Sequence, residues 1–224
     1  MFDAVKFHDF FQPESCTERL HIIGCGAIGS TLAENLVRLG LTKITLYDFD
    51  LVESKNIANQ MYRETDIGKP KVQALAEMLC DINPDVRQSL KIAEKGYTGQ
   101  KLSGYVFLCV DNIDLRRRIA ETNRDNAFIR AMFDFRMRLT DAQHYAADWS
   151  QPNMVEDFLA TMDFSHEEAQ KETPVSACNI TLSVAPTVRV IVACGVVNFV
   201  NFTQGKGVKK VVLIDAFKFA IVAL

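Results

Sequence analysis

The chain has 224 residues, of which 48% are hydrophobic and 24% are charged, and its formal net charge at pH 7 is −3. These proportions are those of a globular protein, and they exclude an intrinsically disordered or fibrous chain. The small excess of acidic residues argues against a nucleic-acid-binding protein, which needs a basic face. The length favours a single domain over residues 1–224.

The sequence carries no evident targeting or membrane-spanning segment. Residues 1–11 are interrupted by charged side chains and therefore lack the apolar core of a signal peptide. The longest apolar run, residues 190–202, contains two asparagines and is shorter than the roughly 20 residues that cross a bilayer. We therefore expect a cytoplasmic protein without a membrane association.

The six cysteines are not spaced as zinc ligands. No two of them are separated by only two residues, the spacing of paired zinc-binding cysteines. Without a secretory signal, reduced and buried thiols are the expected state. We expect no structural zinc.

The first half of the chain has the pattern of alternating strands and helices. Residues 19–23 predict a buried strand, a glycine-rich turn follows, residues 28–39 have helical periodicity, and residues 44–47 predict a second strand. Such a βαβ unit requires a parallel strand pair with a right-handed crossover. Further along, the pattern predicts a loop over 51–68 in which a helical turn can form, helices over 72–79 and 114–126, and strands over 105–110 and 128–133.

The second half predicts an elaboration of the same sheet. We expect an antiparallel strand over 143–149, a short helix over 165–171 and closing strands over 210–214 and 217–222. Residues 187–202 predict a buried helix, with a strand pair as the alternative. The predicted fold class is α/β, a Rossmann-like doubly wound and mostly parallel sheet with an antiparallel C-terminal elaboration. Its core spans 1–135 and the elaboration spans 136–224.

A G-x-G-x-x-G pattern follows the first predicted strand and opens the first helix. Gly24, Gly26 and Gly29 allow a tight turn, close approach of the backbone to a phosphate, and close helix–strand packing. The helix N-terminus then offers free N–H groups to an anion. Asp48 ends the second strand, where a carboxylate is placed to accept hydrogen bonds from a ribose. The pattern predicts a nucleotide site without identifying the nucleotide.

Five further motifs follow in order, so that the set reads GCGAIGS at 24–30, DFDLV at 48–52, NIANQ at 56–60, GKPK at 68–71, INP at 82–84 and CVDN at 109–112. Together they resemble the ThiF/MoeB superfamily of adenylyltransferases, which are related to ubiquitin-activating enzymes. The resemblance covers roughly residues 20–125. A nicotinamide dehydrogenase would explain only the first fifty residues.

The resemblance implies an activity and a set of site residues. Family members use ATP and Mg²⁺ to join AMP to the C-terminal carboxylate of a small ubiquitin-fold protein that ends in glycine, releasing pyrophosphate. The three glycines would hold the nucleotide, Asp48 the ribose, Asn56 and Lys71 the phosphates, and Asp111 the Mg²⁺. The same motifs assign further nucleotide contacts to Ala27, Ile28, Asp50, Asn59, Gln60, Val110 and Asn112.

The chemistry also calls for such groups. A carboxylate that attacks the α-phosphate brings two anions together, so the site must supply cations and aligned donors. Mg²⁺ prefers oxygen ligands and often takes one or two carboxylates besides phosphate oxygens. Each residue has a structural alternative: Asp48 and Asp111 as turn caps, Lys71 as a solvated side chain, and Asn56 as an ordinary loop residue.

The sequence departs from the family at its arginines. Asn59 stands where the family has an arginine that contacts the triphosphate, and residues 1–18 contain no match for a second arginine. If residues 59–63 are helical, Arg63 lies on the face of Asn59 and supplies the cation, since i and i+4 share a face. Lys6 and Arg19 are further candidates.

Two residues of the second half are candidate functional groups. Cys178 lies in a polar loop and is a candidate nucleophile that takes over the activated acyl group, the alternative being a buried and inert thiol. Arg136 is a candidate clamp for a phosphate or a carboxylate, the alternative being an arginine at a solvated strand edge.

The leading hypothesis is therefore an adenylyltransferase, and the alternative is a catalytically degenerate, nucleotide-binding partner subunit. A conjugating enzyme or sulfur donor would be carried on another chain. We expect a homodimer that uses the apolar segment 190–202 and the aromatic N-terminus, although both could complete the core of the monomer. The aromatic residues concerned are Phe2, Phe7, Phe10 and Phe11.

Overall fold

The computed structural model describes residues 2–177 and 181–224. Eight strands are described: β1 (Leu20–Ile23), β2 (Ile44–Tyr47), β3 (Lys91–Ala93), β4 (Gly104–Leu108), β5 (Ile129–Met137), β6 (Asp141–Asp148), β7 (Val211–Asp215) and β8 (Ala220–Ala223). The α-helices are α1 (Ala27–Arg38), α2 (Lys71–Ile82), α3 (Ile113–Thr122), α4 (Pro152–Ala160), α5 (His166–Lys171) and α6 (Ala185–Thr203).

All eight strands belong to one sheet, in the order β3-β2-β1-β4-β5-β6-β7-β8. The strands from β3 to β5 are parallel, and those from β5 to β8 are antiparallel. The predicted Rossmann-like fold with an antiparallel C-terminal elaboration is therefore confirmed. Strand β5 runs across the predicted division at 135/136 and joins the two parts.

The central strands are buried on both faces, as expected for a parallel sheet covered by helices. Every residue of β1, β2 and β4 is buried. Helices α1, α2 and α6 contribute to the core on one face of the sheet, whereas α3 and α4 contribute to the core on the other. The chain is thus a three-layer α/β structure that holds the carboxyl ends of β1, β2 and β4 side by side.

Helix α6 belongs mainly to the core. Its contact with β5 is close enough that a Cβ on Gly195 would lie 2.1 Å from Phe135 Cε1. Phe199 packs edge-on against Phe107 and Phe133, with ring centroids 5.5 and 5.8 Å apart. By length and composition α6 is also the one described helix that could cross a membrane, and half of it is buried within the protein. The helix that we predicted over 187–202 is present, and the alternative strand pair is not.

Some elements differ from the sequence prediction. Strand β3 and helix α4 were not predicted, and the helical turn that we allowed in the loop over 51–68 is present as two 3-10 helices, Ser54–Ala58 and Glu64–Asp66. The aromatic N-terminus serves the monomer in part, because Phe11 is buried and Phe7 packs against the core, while Phe10 is exposed. The predicted homodimer stays a prediction.

Candidate nucleotide-binding site

The glycine-rich turn packs directly against the end of β4. Gly24 has a φ of +97°, and a Cβ there would lie 2.8 Å from the backbone of Cys109 and Val110. A Cβ on Gly29 would lie 1.8 Å from the Gly24 carbonyl oxygen. These two glycines therefore fold the turn and bring it against the strand that leads to Asp111.

The third glycine has a different role in the geometry. A Cβ added to Gly26, the N-cap of α1, would have no heavy atom within 4 Å. The first four N–H groups of a helix have no intrahelical acceptor. The backbone N–H groups at the start of α1, among them those of Ala27 and Ile28, are therefore available to a ligand. The turn therefore presents open space and free donors, the combination that binds a phosphate.

Asp48 organises the turn from the end of β2. Its Oδ2 accepts a hydrogen bond from the Cys25 amide at 2.6 Å, and its Oδ1 accepts one from the Asp50 amide at 2.9 Å. Burial raises the pKa of Asp48, although these hydrogen bonds and the nearby Lys71 act in the opposite direction. The capping role that we left open is thus present, and each oxygen keeps a further lone pair for a ribose hydroxyl.

Lys71 is a buried cation at the start of α2. Its side chain is 8% exposed, and Nζ lies 2.8 Å from Oδ2 of Asp50, whose side chain is 50% exposed. The main chains of the two residues are also bonded, from Lys71 N to the Asp50 carbonyl at 2.9 Å. The alternative of a solvated lysine is therefore wrong, and the amine is held in place with its charge partly balanced.

The segment 56–63 departs from the predicted geometry. Asn56 is buried, and its Oδ1 accepts from the Glu53 amide at 2.9 Å as a helix cap. The 3-10 helix ends at Ala58, so Asn59 and Arg63 do not share a helical face and the spacing argument for Arg63 is wrong. Arg63 is exposed, and its role as the missing cation stays a prediction.

Two amide side chains in this segment have unused acceptors. Asn59 Nδ2 donates to Ser183 Oγ at 2.8 Å, across 124 residues of sequence. Among the described atoms, Asn59 Oδ1 and Gln60 Oε1 are buried and have no hydrogen-bond donor. The neighbouring Tyr62 donates its hydroxyl to the Cys25 carbonyl at 2.6 Å and so joins this segment to the glycine turn.

Asp111 lies just beyond β4, beside the turn. It is exposed, and it lines a cleft of about 910 Å³ that also contains Arg136, Gln143 and His166. Asn112 caps α3 by accepting from the Leu115 amide at 2.9 Å. The carboxylate of Asp111 is therefore free to bind a ligand at the carboxyl end of the parallel strands, where open α/β sheets place their ligands.

A buried arginine that the sequence analysis missed holds the backbone before Asp111. Arg116 donates to the carbonyl oxygens of Val110 and Phe135 and forms an ion pair with Asp134. Its side chain is 6% exposed and that of Asp134 is fully buried. The repeated arginines of α3 gave no signal as to which one faces inward.

Arg136 is committed to the protein rather than free in the cleft. Its Nε lies 2.6 Å from Asp134 Oδ2, and its two terminal nitrogens donate to the carbonyl and hydroxyl oxygens of Thr161 at 2.6 and 2.8 Å. The guanidinium carbon also lies 4.4 Å from the centre of the Tyr145 ring. The solvated-edge alternative is therefore wrong. Three of the five N–H donors of Arg136 are used within the protein, and its role as a clamp stays a prediction.

The thiols near the turn are not reactive. Burial raises the pKa of both Cys25 and Cys109 far above the ordinary value, which keeps them protonated. The candidate nucleophile Cys178 lies outside the described residues.

Comparison with known proteins identifies the family. The model of the ThiF family matches residues 7–222, nearly the whole chain. The chain belongs to the ThiF family.

Curated relatives match this chain over only part of its length and over a smaller part of their own. The chain is 46% identical over 66 residues to ubiquitin-like modifier-activating enzyme 5 of Dictyostelium discoideum, which is 30% of this chain and 17% of that protein. It is 34% identical over 122 residues to the enzyme of the same name from Drosophila virilis, covering 47% of this chain and 30% of the relative. The chain thus spans less than a third of these relatives.

Solved structures support the fold over almost the entire chain. MccB of E. coli, in a structure solved with ATP, has a TM-score of 0.71 at 15% identity and covers 95% of this chain and 65% of its own. PaaA has a TM-score of 0.72 at 19% identity and covers 99% of this chain and 68% of its own. At these identities the likeness concerns the fold.

The polar groups of this ThiF-family site are of the kinds that suit ATP and Mg²⁺. The helix N-terminus and the space at Gly26 suit a phosphate, and the Asp48 carboxylate beside them suits a ribose. No group of three His, Cys, Asp or Glu side chains among the described residues is arranged to hold a metal. A single carboxylate such as Asp111 nevertheless suits Mg²⁺, which usually keeps waters and phosphate oxygens as its other ligands.

Proposed function

We propose that the protein catalyses the ATP-dependent adenylylation of the C-terminal carboxylate of a small ubiquitin-like or sulfur-carrier protein that ends in glycine. The products are an acyl-adenylate and pyrophosphate. The observation that carries this proposal is the combination of the ThiF-family match over residues 7–222 with an open glycine turn beside Asp48, Lys71 and Asp111. The relatives named as ubiquitin-like modifier-activating enzymes support the substrate class.

The residues of the site would divide the work as follows. The N-terminus of α1 would bind phosphate oxygens, and Asp48 would orient the ribose. Lys71, already held by Asp50, would meet the negative charge that builds up when the carboxylate oxygen attacks the α-phosphorus and the bond to pyrophosphate breaks. Asp111 would hold Mg²⁺, which when bound neutralises phosphate oxygens.

A specific observation favours the second candidate, a nucleotide-binding subunit without catalysis. Asn59 replaces the family arginine, and the amine of Lys71 is already balanced by Asp50. Such a subunit would bind ATP and support an active partner chain. We expect the same glycine turn to serve either function, so measurements of binding and of turnover must be made separately.

The first test is the choice of nucleotide. The site predicts Mg²⁺-dependent binding of ATP and little affinity for NAD, because the cation and the carboxylate are arranged for phosphates and a metal. Isothermal calorimetry with each nucleotide, with and without Mg²⁺, measures this. Tight binding of NAD with none of ATP would contradict both candidate functions.

The second test is ATP–pyrophosphate exchange in the presence of small ubiquitin-fold proteins that end in glycine. Asp111→Asn should abolish exchange, and Lys71→Ala should reduce it about 10²- to 10³-fold, the effect of removing one transition-state donor. Lys69→Ala is the matched control, because Lys69 lies two residues away and is paired with Asp66 and Glu77 at the surface.

The outcome separates the two candidates. Exchange that requires Asp111 and Lys71 but not Lys69 supports the enzyme. If the wild-type protein binds ATP and exchanges with none of the candidate substrates, the partner subunit is favoured. Arg63→Ala tests the remaining sequence prediction: a loss of about 10²-fold would assign the missing charge to Arg63, and an unchanged rate would place it elsewhere.

A further inference from the structure

Arg189, on the second turn of α6, reaches the helix that begins at the glycine turn. Its Nη1 donates to Thr31 Oγ1 at 2.6 Å and lies 2.9 Å from Met61 Sδ. Thr31 is on α1, and its hydroxyl is bonded in turn to the carbonyl of Ala27, the first residue of that helix, at 2.8 Å. Arg189 therefore contacts α1 about one turn beyond the N–H groups of the candidate phosphate site.

The charge of Arg189 is not neutralised by the protein. Its two partners are a hydroxyl and a thioether, and no described residue forms an ion pair with it. Of the other cations around the site, Lys71 is paired with Asp50, and Arg116 and Arg136 are paired with Asp134. The exposed Arg63 forms no ion pair with a described residue and is the other candidate for the missing charge. Arg189 is exposed as well, so an anionic ligand can reach its guanidinium.

The contacts of α6 place the charge of Arg189 near residues 59–61, the part of the site where a cation is lacking. Ser183, just before α6, accepts from Asn59, and Arg189 contacts Met61, two residues further along the same segment. The Met61 amide also donates to Ser30 Oγ at 3.2 Å, and this hydrogen bond holds residues 59–61 against α1. The neutral Asn59 and the unpaired Arg189 thus border the same side of the site.

We propose that Arg189 binds the β- and γ-phosphate end of the nucleotide and supplies from α6 the positive charge that is absent at residue 59. The proposal rests on the nucleotide-binding function proposed above. A guanidinium suits this task because its planar donors match phosphate oxygens two at a time and it stays charged at every physiological pH. The adenosine end of the ligand makes no use of it.

The test compares two nucleotides that differ only at the phosphate end. Calorimetry with ATP and with AMP, each with Mg²⁺, is carried out on wild type, Arg189→Gln, Arg189→Lys and Arg38→Gln. Arg38 is the matched control because it is an exposed arginine at the far end of α1, paired with Glu34. Thermal unfolding of each variant checks that the fold is retained.

We expect Arg189→Gln to weaken ATP binding about 10- to 100-fold, the range for a hydrogen bond to a charged group, with the affinity for AMP within twofold of wild type. Arg189→Lys should recover part of the loss, and Arg38→Gln should change neither affinity. Unchanged ATP binding in Arg189→Gln, or equal losses for ATP and AMP, would overturn the proposal while the nucleotide function stands. A wild-type protein that binds no ATP would instead refute the proposed function itself.

Discussion

Asp134 is a single carboxylate shared by two arginines in the interior of the protein. It forms ion pairs with Arg116 and Arg136 and is fully buried. Burial alone would raise the pKa of Asp134, but the two guanidinium groups hold it below its ordinary value. Through Arg116 this group fixes the Val110 carbonyl just before Asp111, so the stability of the core and the geometry of the site depend on the same charge.

Removing that charge should be costly. Asp134→Asn leaves the buried guanidinium of Arg116 and the partly buried one of Arg136 without a counter-ion. Breaking a buried ion pair from one side costs about 3–5 kcal/mol. Urea denaturation measures the change in the free energy of unfolding. Asp125→Asn, at an exposed aspartate, is the control and should stay within about 0.5 kcal/mol of wild type. A similar small effect for both variants would contradict the view of Asp134 as a stabilising centre.

His144 makes stability depend on pH. It is fully buried, its Nδ1 lies 3.0 Å from the Asp134 carbonyl and its Nε2 lies 3.1 Å from Asn198 Nδ2, so the neutral ring satisfies both partners. Burial lowers the pKa of His144 to about 4 from its ordinary 6.5. Between these two values the unfolded chain binds the proton and the folded chain does not, so stability falls as the pH falls.

The expected effect of His144 is a loss on the order of 3 kcal/mol between pH 7 and pH 4. Urea denaturation at several pH values should show a smaller loss over this range in His144→Gln than in wild type. Some dependence should remain in the variant, because burial also lowers the pKa of His21 to about 4. Parallel curves for the two proteins would contradict the assignment to His144.

At the level of elements, two glycines of the glycine-rich turn have different roles: Gly29 is needed for the fold of the turn and Gly26 leaves space for the ligand. Gly29→Ala places a Cβ 1.8 Å from the Gly24 carbonyl, so the turn must distort and the protein should lose about 1–3 kcal/mol of stability. Gly26→Ala meets no protein atom within 4 Å and should leave stability unchanged. It should nevertheless weaken ATP binding, because the methyl group occupies the space of a phosphate. Thermal unfolding and calorimetry on both variants test this, and a stable Gly26→Ala that binds ATP normally would contradict it.

The sequence was sufficient where the signal is local. The βαβ unit, the glycine turn and Asp48 follow from hydrophobic periodicity and spacing within thirty residues, and the structure brings them together. Of the two omitted elements, β3 has only three residues and therefore a weak signal. Helix α4 has a helical pattern in its buried Met154, Val155 and Phe158, and we did not use that pattern in the prediction.

The parts of the site that were missed depend on distant contacts. Arg189 meets Thr31 across 158 residues of sequence, and no pattern in the sequence pairs these positions. Arg116 is one of three consecutive arginines, and only packing decides that it faces Asp134. Arg63 was predicted from helical spacing, which the structure does not have there because the backbone leaves the helix at Ala58.

For the whole molecule, the most exposed apolar surface lies on the hairpin of β7 and β8. Every residue of β8 is exposed, and Phe219 in the turn is 94% exposed with a φ of +55°. The outer edge of β8 pairs with no other described strand. An open edge with apolar side chains favours association, and this hairpin offers more exposed apolar surface than the N-terminus or α6 that we first considered.

Light scattering over a range of concentrations should therefore show a mass above that of the monomer at micromolar protein. Phe219→Asn should lower this association, because it removes an exposed ring and suits a positive φ. Phe128→Asn is the control. Phe128 is 78% exposed and lies just before the first residue of β5, at the end of that strand that is away from the hairpin. A monomeric mass for wild type at all concentrations would contradict the expectation.

The position of α6 in the core has a consequence for synthesis on the ribosome. The rings of Phe107 and Phe133 lie in strands that are made early, yet the Phe199 ring that packs against them is made about 70 residues after β5 begins. At ordinary elongation rates of roughly 5–20 residues per second, the nascent sheet waits several seconds with one aromatic face open to solvent. A chain truncated after residue 135 would therefore expose these rings, and we expect such a fragment to aggregate more readily than the full chain.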